Sequence, residues 1–570
     1  MRFVALATDY DETLADHGTV LPSMEQALDR LRASGRKLLL VTGRDLDDLL
    51  QVFRRVDLFD AVVAENGALL YLPARKHERR LAEPPPGEFA LALGRQGVPI
   101  TTGRVIVATR VPHETTVLEE IRRQGLELQV IFNKGAVMVL PSGVNKGTGL
   151  KHALTELRLS PHNAVAVGDA ENDHVFLAEA ELGAAVANAL PKLRERADLV
   201  LRGEAHRGVE ELIAQLLDDD LRAAAARSSR RDLPLGEDEH GQRVTLRPWS
   251  GPLLFAGTPR SGKSTAAKGF VERLIDAGYQ CCILDPEGDW TEFERTVQIG
   301  EPRRAPTVEE IAHALELPGE QIVVNLVAVR HADRPPFFSA LLPRIQELRA
   351  ATGRPHWLVV DEAHHFVPTL AQPAKDALPR DLTGVAAITV SPSDLARPLL
   401  ERLEIVVGVG PHAAEMIAEF CAARRVASPP CAPRQMDKGE ALLWRVGQGG
   451  PMWLRLARTR TPHQRHVRKY AEGELPPDRS FFFHGPDGKL KLRAQNLKVF
   501  EQLADGVDDA TWVHHLRRGD YSRWFRDEVK DEELSREAQQ VERDESLPPE
   551  ESRRRILAAI DKRYTLPAGR

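Results

Sequence analysis

The stretch FVALATDYDET, residues 3–13, decides the first fold. An apolar run ends in polar residues, with Asp9 and Asp11 two apart. A short apolar run bounded in this way reads as a buried strand. Its carboxylates stand at the strand's carboxyl end, where open α/β sheets place their ligands. Working outward, residues 24–34 read as a helix, KLLLVTGR (37–44) as a strand, 46–56 as a helix and DAVVAENG (60–67) as a strand. This βαβα order predicts an α/β fold with a parallel sheet covered by helices. Between about 71 and 140 the rhythm changes. RVIVATR, a helix over 113–124, LELQVIFN and AVMVLP read as a small α/β insert. The main rhythm resumes with a helix after Lys146, the strand in AVAVGDAEND (164–173), and GAAVANA (183–189).

Four chemical features stand at strand ends in this order: the pair Asp9 and Asp11, Thr42, Lys146, and the acidic loop from Asp169 to Asp173. A carboxylate can attack a phosphoryl group through an aspartyl phosphate. A second one, two residues on, can protonate the leaving alkoxide and later activate water. A hydroxyl and a lysine can hold phosphoryl oxygens, and further carboxylates can hold Mg²⁺.

At 570 residues the chain exceeds one hydrophobic core, so two to four domains are expected. Its composition, 42% hydrophobic and 28% charged, is that of a globular protein, and its net charge of −6 gives no global pull toward nucleic acid. Four cysteines without a CxxC pair argue against a zinc site and for a reducing compartment. No basic leader and no apolar run of about 18 residues is present, so a cytoplasmic protein without a membrane partner is expected.

The four features, with AENGA at 64–68 and AVANALPKLRERADLV at 185–200, resemble the haloacid dehalogenase (HAD) superfamily, specifically its Cof-like, type IIB group. The resemblance spans about 1–217 and implies a Rossmann-like core with a substrate-selecting cap at about 71–140. It implies Asp9 as nucleophile, Asp11 as acid/base, Thr42 and Lys146 as phosphate ligands, and Asp9, Asp11, Asp169 and Asp173 as the Mg²⁺ set. The family usually carries glycine where this chain has Glu12. The implied substrate is a phosphorylated small molecule.

Residues 218–242, DDDLRAAAARSSRRDLPLGEDEHGQ, lose apolar periodicity and read as part of a charged linker over 218–244, long enough for a flexible coil of roughly 25–30 Å. A second βα series begins with LLFAGTPRSGKST (253–265). Gly257 to Ser264 fit GxxxxGK[ST] between a strand and a helix. Gly257, Gly262, Lys263, Ser264 and Thr265 are the expected nucleotide contacts, with Ser264 also on Mg²⁺. In WLVVDE, Asp361 would support Mg²⁺ and Glu362 would polarise water. With ILDPEGDW (283–290), VVDEAHHFVP (359–368) and ITVSPSDL (388–395), residues 245–454 resemble HerA/FtsK-type ATPases. That implies a RecA-like P-loop domain using ATP, and relatives of this kind are often hexameric motors on DNA.

From 455 to 570 a basic segment (Arg455, Arg458, Arg460, Arg465, Arg468, Lys469, beside Tyr470) leads into a small, mainly helical module. Trp512, His514, His515 and Trp524 stand there at the spacing of a packed helix pair rather than a metal site. The leading reading is a Mg²⁺-dependent phosphomonoester hydrolase fused to an ATP-binding P-loop domain. The alternatives are a nucleic-acid translocase with an accessory HAD domain and a nucleotide-sensing scaffold. Nucleic acid and a homo-oligomer, a hexamer on the HerA resemblance, stay open as partners.

Overall fold

The computed structural model describes residues 1–564 apart from 134, 291, 292, 294, 370–377, 380, 432, 433, 438, 461–474, 476, 489 and 530. Strand β1 (Ala5–Thr8) forms where the sequence is apolar on both faces, and all four of its residues are buried. It lies at the centre of a sheet with β2 (Lys37–Val41), β3 (Ala61–Ala64), β4 (Leu69–Leu72) and β5 (His77–Arg80) on one side. The insert contributes β6 (Thr101–Thr102), β7 (Val107–Arg110), β8 (Leu128–Asn133) and β9 (Ala136–Pro141). On the other side of β1 lie β10 (Ala164–Gly168), β11 (Leu182–Ala185) and β12 (Leu199–Val200). Among the described residues the order is β12-β11-β10-β1-β2-β3-β4-β5, parallel as far as β3 and antiparallel beyond it.

The insert is a separate antiparallel sheet, β6-β7-β9-β8, backed by helices Gly87–Arg95 and Glu114–Gln124 around a core of Phe89, Leu93, Val117 and Val139. It begins later than expected. Residues 69–80, in part assigned to the cap from the sequence, extend the main sheet as the hairpin β4–β5. Every residue of β5, HERR, is exposed, so this edge strand carries no apolar alternation to reveal it.

The supposed linker is also structured. It holds β13 (Leu233–Glu237) and the start of β14 (Arg243–Leu246), which pair with each other, and β13 pairs with a later strand, β23. Only Leu233, Leu235, Val244 and Leu246 face inward, and they are too few to stand out among the charges. The sheet continues with β15 (Leu253–Ala256), β16 (Cys281–Asp285), β17 (Val297–Ile299), β18 (Ile322–Asn325), β19 (Trp357–Val360), β20 (Val385–Thr389), β21 (Ile405–Val409), β22 (Glu440–Arg445) and β23 (Gln448–Leu456). Its order is β14-β13-β23-β22-β21-β15-β20-β19-β16-β18-β17 among the described residues. The run from β21 to β17 is parallel, so the apolar strands are covered on both faces.

The two sheets are not tethered by a coil but packed together. His162 stacks on Tyr279 with ring centroids 3.8 Å apart, and its Nε2 lies 2.8 Å from the Ala277 carbonyl. Asn163 Nδ2 donates to Gly353 O, and its Oδ1 lies 3.0 Å from His356 Nε2. Glu181 accepts from the Tyr279 hydroxyl and from Trp249 Nε1, each at 2.9 Å.

The C-terminal residues add the hairpin β24 (Phe481–Phe483) and β25 (Leu492–Ala494), packed against helices from Leu497–Gly506 to Pro549–Tyr564. Trp512 and Trp524 lie in this core beside Phe500 and Tyr521, and His515 pairs with Asp520. Of the basic segment, Arg455 lies in β23 and Arg460 pairs with Asp276. Arg465, Arg468, Lys469 and Tyr470 are outside the described residues. Among the described residues no helix is long and apolar enough to cross a membrane.

Candidate functional site

Parallel β1, β2 and β10 end side by side, and the residues that follow them converge. Asp9 follows β1, Thr42 follows β2 and Asp169 follows β10. Lys146 opens the helix Lys146–Glu156, whose capping box is built on Asn145 and Thr148. Asp9, Thr42, Lys146, Asp169 and Asp173 are all buried. Lys146 Nζ lies 2.6 Å from Asp9 Oδ1 and 2.5 Å from Asp173 Oδ1. Asp173 Oδ2 accepts from the main-chain N–H groups of Asp169 and Ala170, which fixes the acidic loop. This turn needs Gly168, because a Cβ there would come within 2.5 Å of Asp173 Oδ2. Thr13 Oγ1 donates to Asp169 at 3.3 Å.

Electrostatics follow from burial. Desolvation pushes the Asp9 carboxyl up to about 8, against the attraction of Lys146 and with the repulsion of Asp173 and Asp169. Burial alone would lower Lys146, but Asp173 and Asp9 hold it above its ordinary value. One ligand atom each from Asp9, Asp169 and Asp173 lie within 4.8 Å of one another. This all-carboxylate set is the donor chemistry of a hard divalent cation and fits Mg²⁺.

Asp11 is not in that cluster. Its carboxylate is gripped by Arg44, with Nη2 at 2.7 Å and Nε at 2.9 Å, and Arg44 also pairs with Asp48. A side-chain metal role expected for Asp11 is therefore not what the structure places there. Arg44 closes the stretch KLLLVTGR, where no local pattern marks it as a partner of Asp11. Two further groups were missed. Asn172 Nδ2 donates to Asn66 Oδ1, while Asn66 Nδ2 and Asn172 Oδ1 are buried with no partner among the described residues. Glu65 ties core to cap by accepting from the N–H groups of Arg104, Val105 and Ile106. Glu12 sits at φ 59°, in the left-handed region, which accounts for the family's preference for glycine there.

A second cluster forms where β15 meets the helix Lys263–Asp276. The loop of Gly257 to Gly262 closes with Gly262 at φ 97°, and Ser264 and Thr265 lie in the first helical turn, partly exposed. Lys263 Nζ donates to Glu362 Oε1 at 3.1 Å. Asp361, just past β19, accepts from Trp290 Nε1 at 2.9 Å, and burial pushes its carboxyl up to about 7. A contact with the C-terminal module was not foreseen: Arg260, within the loop, pairs with Asp531 at 2.5 Å and with Glu533 at 3.4 Å.

The α/β sheet with carboxylates and a lysine gathered at its strand ends defines the N-terminal part as a hydrolase of the phosphate-transferring kind. The family model for haloacid dehalogenase-like hydrolases matches residues 6–83 and 101–213. A phosphoglycolate phosphatase of Methanothermobacter thermautotrophicus is 30% identical over 223 residues, 37% of this chain and 98% of that protein. Phosphoglycolate phosphatase 2 of Saccharolobus solfataricus is 29% identical over 224 residues, 38% of this chain and 92% of its own length. The corresponding enzyme of Pyrobaculum islandicum is 30% identical over 234 residues, 39% of this chain and 98% of its own. Through its N-terminal part this chain belongs to the haloacid dehalogenase-like hydrolase family, as a HAD phosphatase with a Rossmann-like core.

Proposed function

We propose that the N-terminal site hydrolyses a small phosphomonoester through an aspartyl phosphate on Asp9. The observation that carries this is the convergence of these groups: Lys146 contacts Asp9 and Asp173 directly, and carboxylate oxygens of Asp9, Asp169 and Asp173 lie within 4.8 Å of one another. Asp9, Asp169 and Asp173 would hold Mg²⁺, which when bound offsets the negative charge brought together by nucleophile and phosphate. Asp9 attacks phosphorus in line and the ester oxygen leaves. Asp11, positioned by Arg44, gives that oxygen a proton and then takes one from the water that opens the acyl phosphate. Lys146 and Thr42 hold the phosphoryl oxygens. The curated relatives named above make phosphoglycolate the first substrate to try. A kcat/KM for phosphoglycolate above that for other small phosphomonoesters supports this choice, and a preference for another ester redirects the substrate while leaving the mechanism standing.

A second reading concerns the other sheet. Lys263, Asp361 and Glu362 meet at the mouth of a GxxxxGKS loop on a parallel strand, which favours a P-loop ATPase of RecA-like build. Lys263 would reach the β/γ-phosphates, Ser264 and Asp361 would support Mg²⁺, and Glu362 would polarise water. Lys263→Ala should weaken ATP binding, and Glu362→Gln should keep binding and slow turnover. Calorimetric ATP binding unchanged in Lys263→Ala removes this reading.

A further inference from the structure

We propose that the cavity between the two large sheets is a third site, which binds a multiply charged, phosphate-bearing small molecule. Its volume is about 800 Å³, within the range of small-molecule pockets. Three parts of the chain wall it: Arg2 and Glu181 beside the N-terminal sheet, residues of the segment 222–232, and residues of 245–251 with Glu404 and Arg445 by the second sheet. It shares no residue with the Asp9 cluster or the loop that holds Lys263.

Five arginines face this space against three carboxylates, Glu181, Asp232 and Glu404. Glu181 is already committed: it takes Arg2 and Trp249 on Oε1, and Tyr279 and His162 on Oε2. Arg231 is held by the main-chain oxygens of Ala178, Glu179 and Ala180, neutral acceptors that leave its charge in place, with Glu181 4.0 Å away. Arg222 has only the exposed Asp381 at 3.9 Å as an ion-pair partner among the described residues. Arg247 and Arg445 make no side-chain hydrogen bond or ion pair among the described residues. The Nε groups of Arg2 and Arg231, and the Oδ1 of Asp232, are buried without a hydrogen-bond partner among the described residues. Positive charge gathered in a concavity focuses the potential and draws anions. Guanidinium forks match the spacing of phosphate oxygens better than they match a point charge. The ring of Trp249, with the Arg2 guanidinium 4.4 Å from its centroid, forms an aromatic wall.

The test is hydrogen–deuterium exchange of the full chain with inorganic pyrophosphate and, in a separate arm, with ADP. Slower exchange in 225–232 and 245–251 is expected, and its loss in Arg247→Glu/Arg445→Glu. In that variant any protection of the Asp9 cluster by the same probes persists, which shows the fold intact. Arg247→Ala/Arg445→Ala serves if charge reversal disturbs the seam. Protection by pyrophosphate places recognition in the phosphates, and protection by ADP alone adds the nucleoside to what is recognised. Unchanged exchange in both segments under both probes overturns the proposal, as does protection that survives in the double variants.

Discussion

Lys146 donates to Asp9 at 2.6 Å with both side chains closed to solvent. The lysine thereby offsets repulsion within a buried acidic cluster and, on the proposed mechanism, holds phosphoryl oxygens. Lys146→Met should lower kcat/KM about 100-fold or more, the scale on which a preorganised cation acts. Thermal stabilisation by Mg²⁺ should survive, because the carboxylates remain. Steady-state kinetics and melting curves check both halves.

The Asp9 carboxyl supplies a pH prediction for the metal-free chain. Its value is raised to about 8 in the fold, against about 4 when unfolded. The fold therefore favours its protonated form. The stability this contributes is full below about pH 4 and is lost progressively as pH rises to about 8. Mg²⁺ must displace that proton, so the shift in Tm on adding Mg²⁺ should grow from pH 5 to pH 8. In Asp9→Asn the growth should flatten. Equal Mg²⁺ shifts at both pH values in the wild type would contradict the assignment.

Arg44 holds Asp11 through a fork, so it should govern the acid step rather than phosphate capture. Arg44→Ala should reduce kcat about 10-fold or more for an alkyl phosphate, whose leaving group needs a proton, within the span of general acid catalysis. For an aryl phosphate with a good leaving group the loss should be smaller. Arg44→Lys should fall between, because it keeps charge but loses the bidentate geometry. An equal loss on both substrates would assign Arg44 to binding.

Arg260 is engaged by Asp531 on the C-terminal module, and on the P-loop reading this holds a cation away from bound phosphates. Asp531→Asn removes the charge while keeping a good helix cap, which Asp531 supplies to Glu533 and Leu534. ATP affinity by calorimetry should rise several-fold. Unchanged affinity would leave the contact a structural one.

What the sequence made legible was what depends on local pattern. The buried strands at Ala5–Thr8, Ala164–Gly168 and Trp357–Val360 are continuous apolar runs ending in carboxylates, and the structure has them there. The helix expected over 113–124 is found at Glu114–Gln124. What stayed hidden depends on partners distant in the chain. Strand β13 lies on the edge of β23, more than 200 residues later, and β14 pairs with β13. Arg44 was readable as a residue but not as the partner of Asp11, 33 positions away. The Glu181 junction with Tyr279 and Trp249 likewise joins residues with no shared motif.

On the proposed mechanism Asp9 is the nucleophile of a phosphatase. The most direct measurement is phosphomonoester turnover by Asp9→Asn against wild type, in Mg²⁺, with folding checked by melting temperature. The expected result is a loss of several orders of magnitude in a folded protein, since the amide cannot form the covalent intermediate. Turnover within a few-fold of wild type would contradict the account.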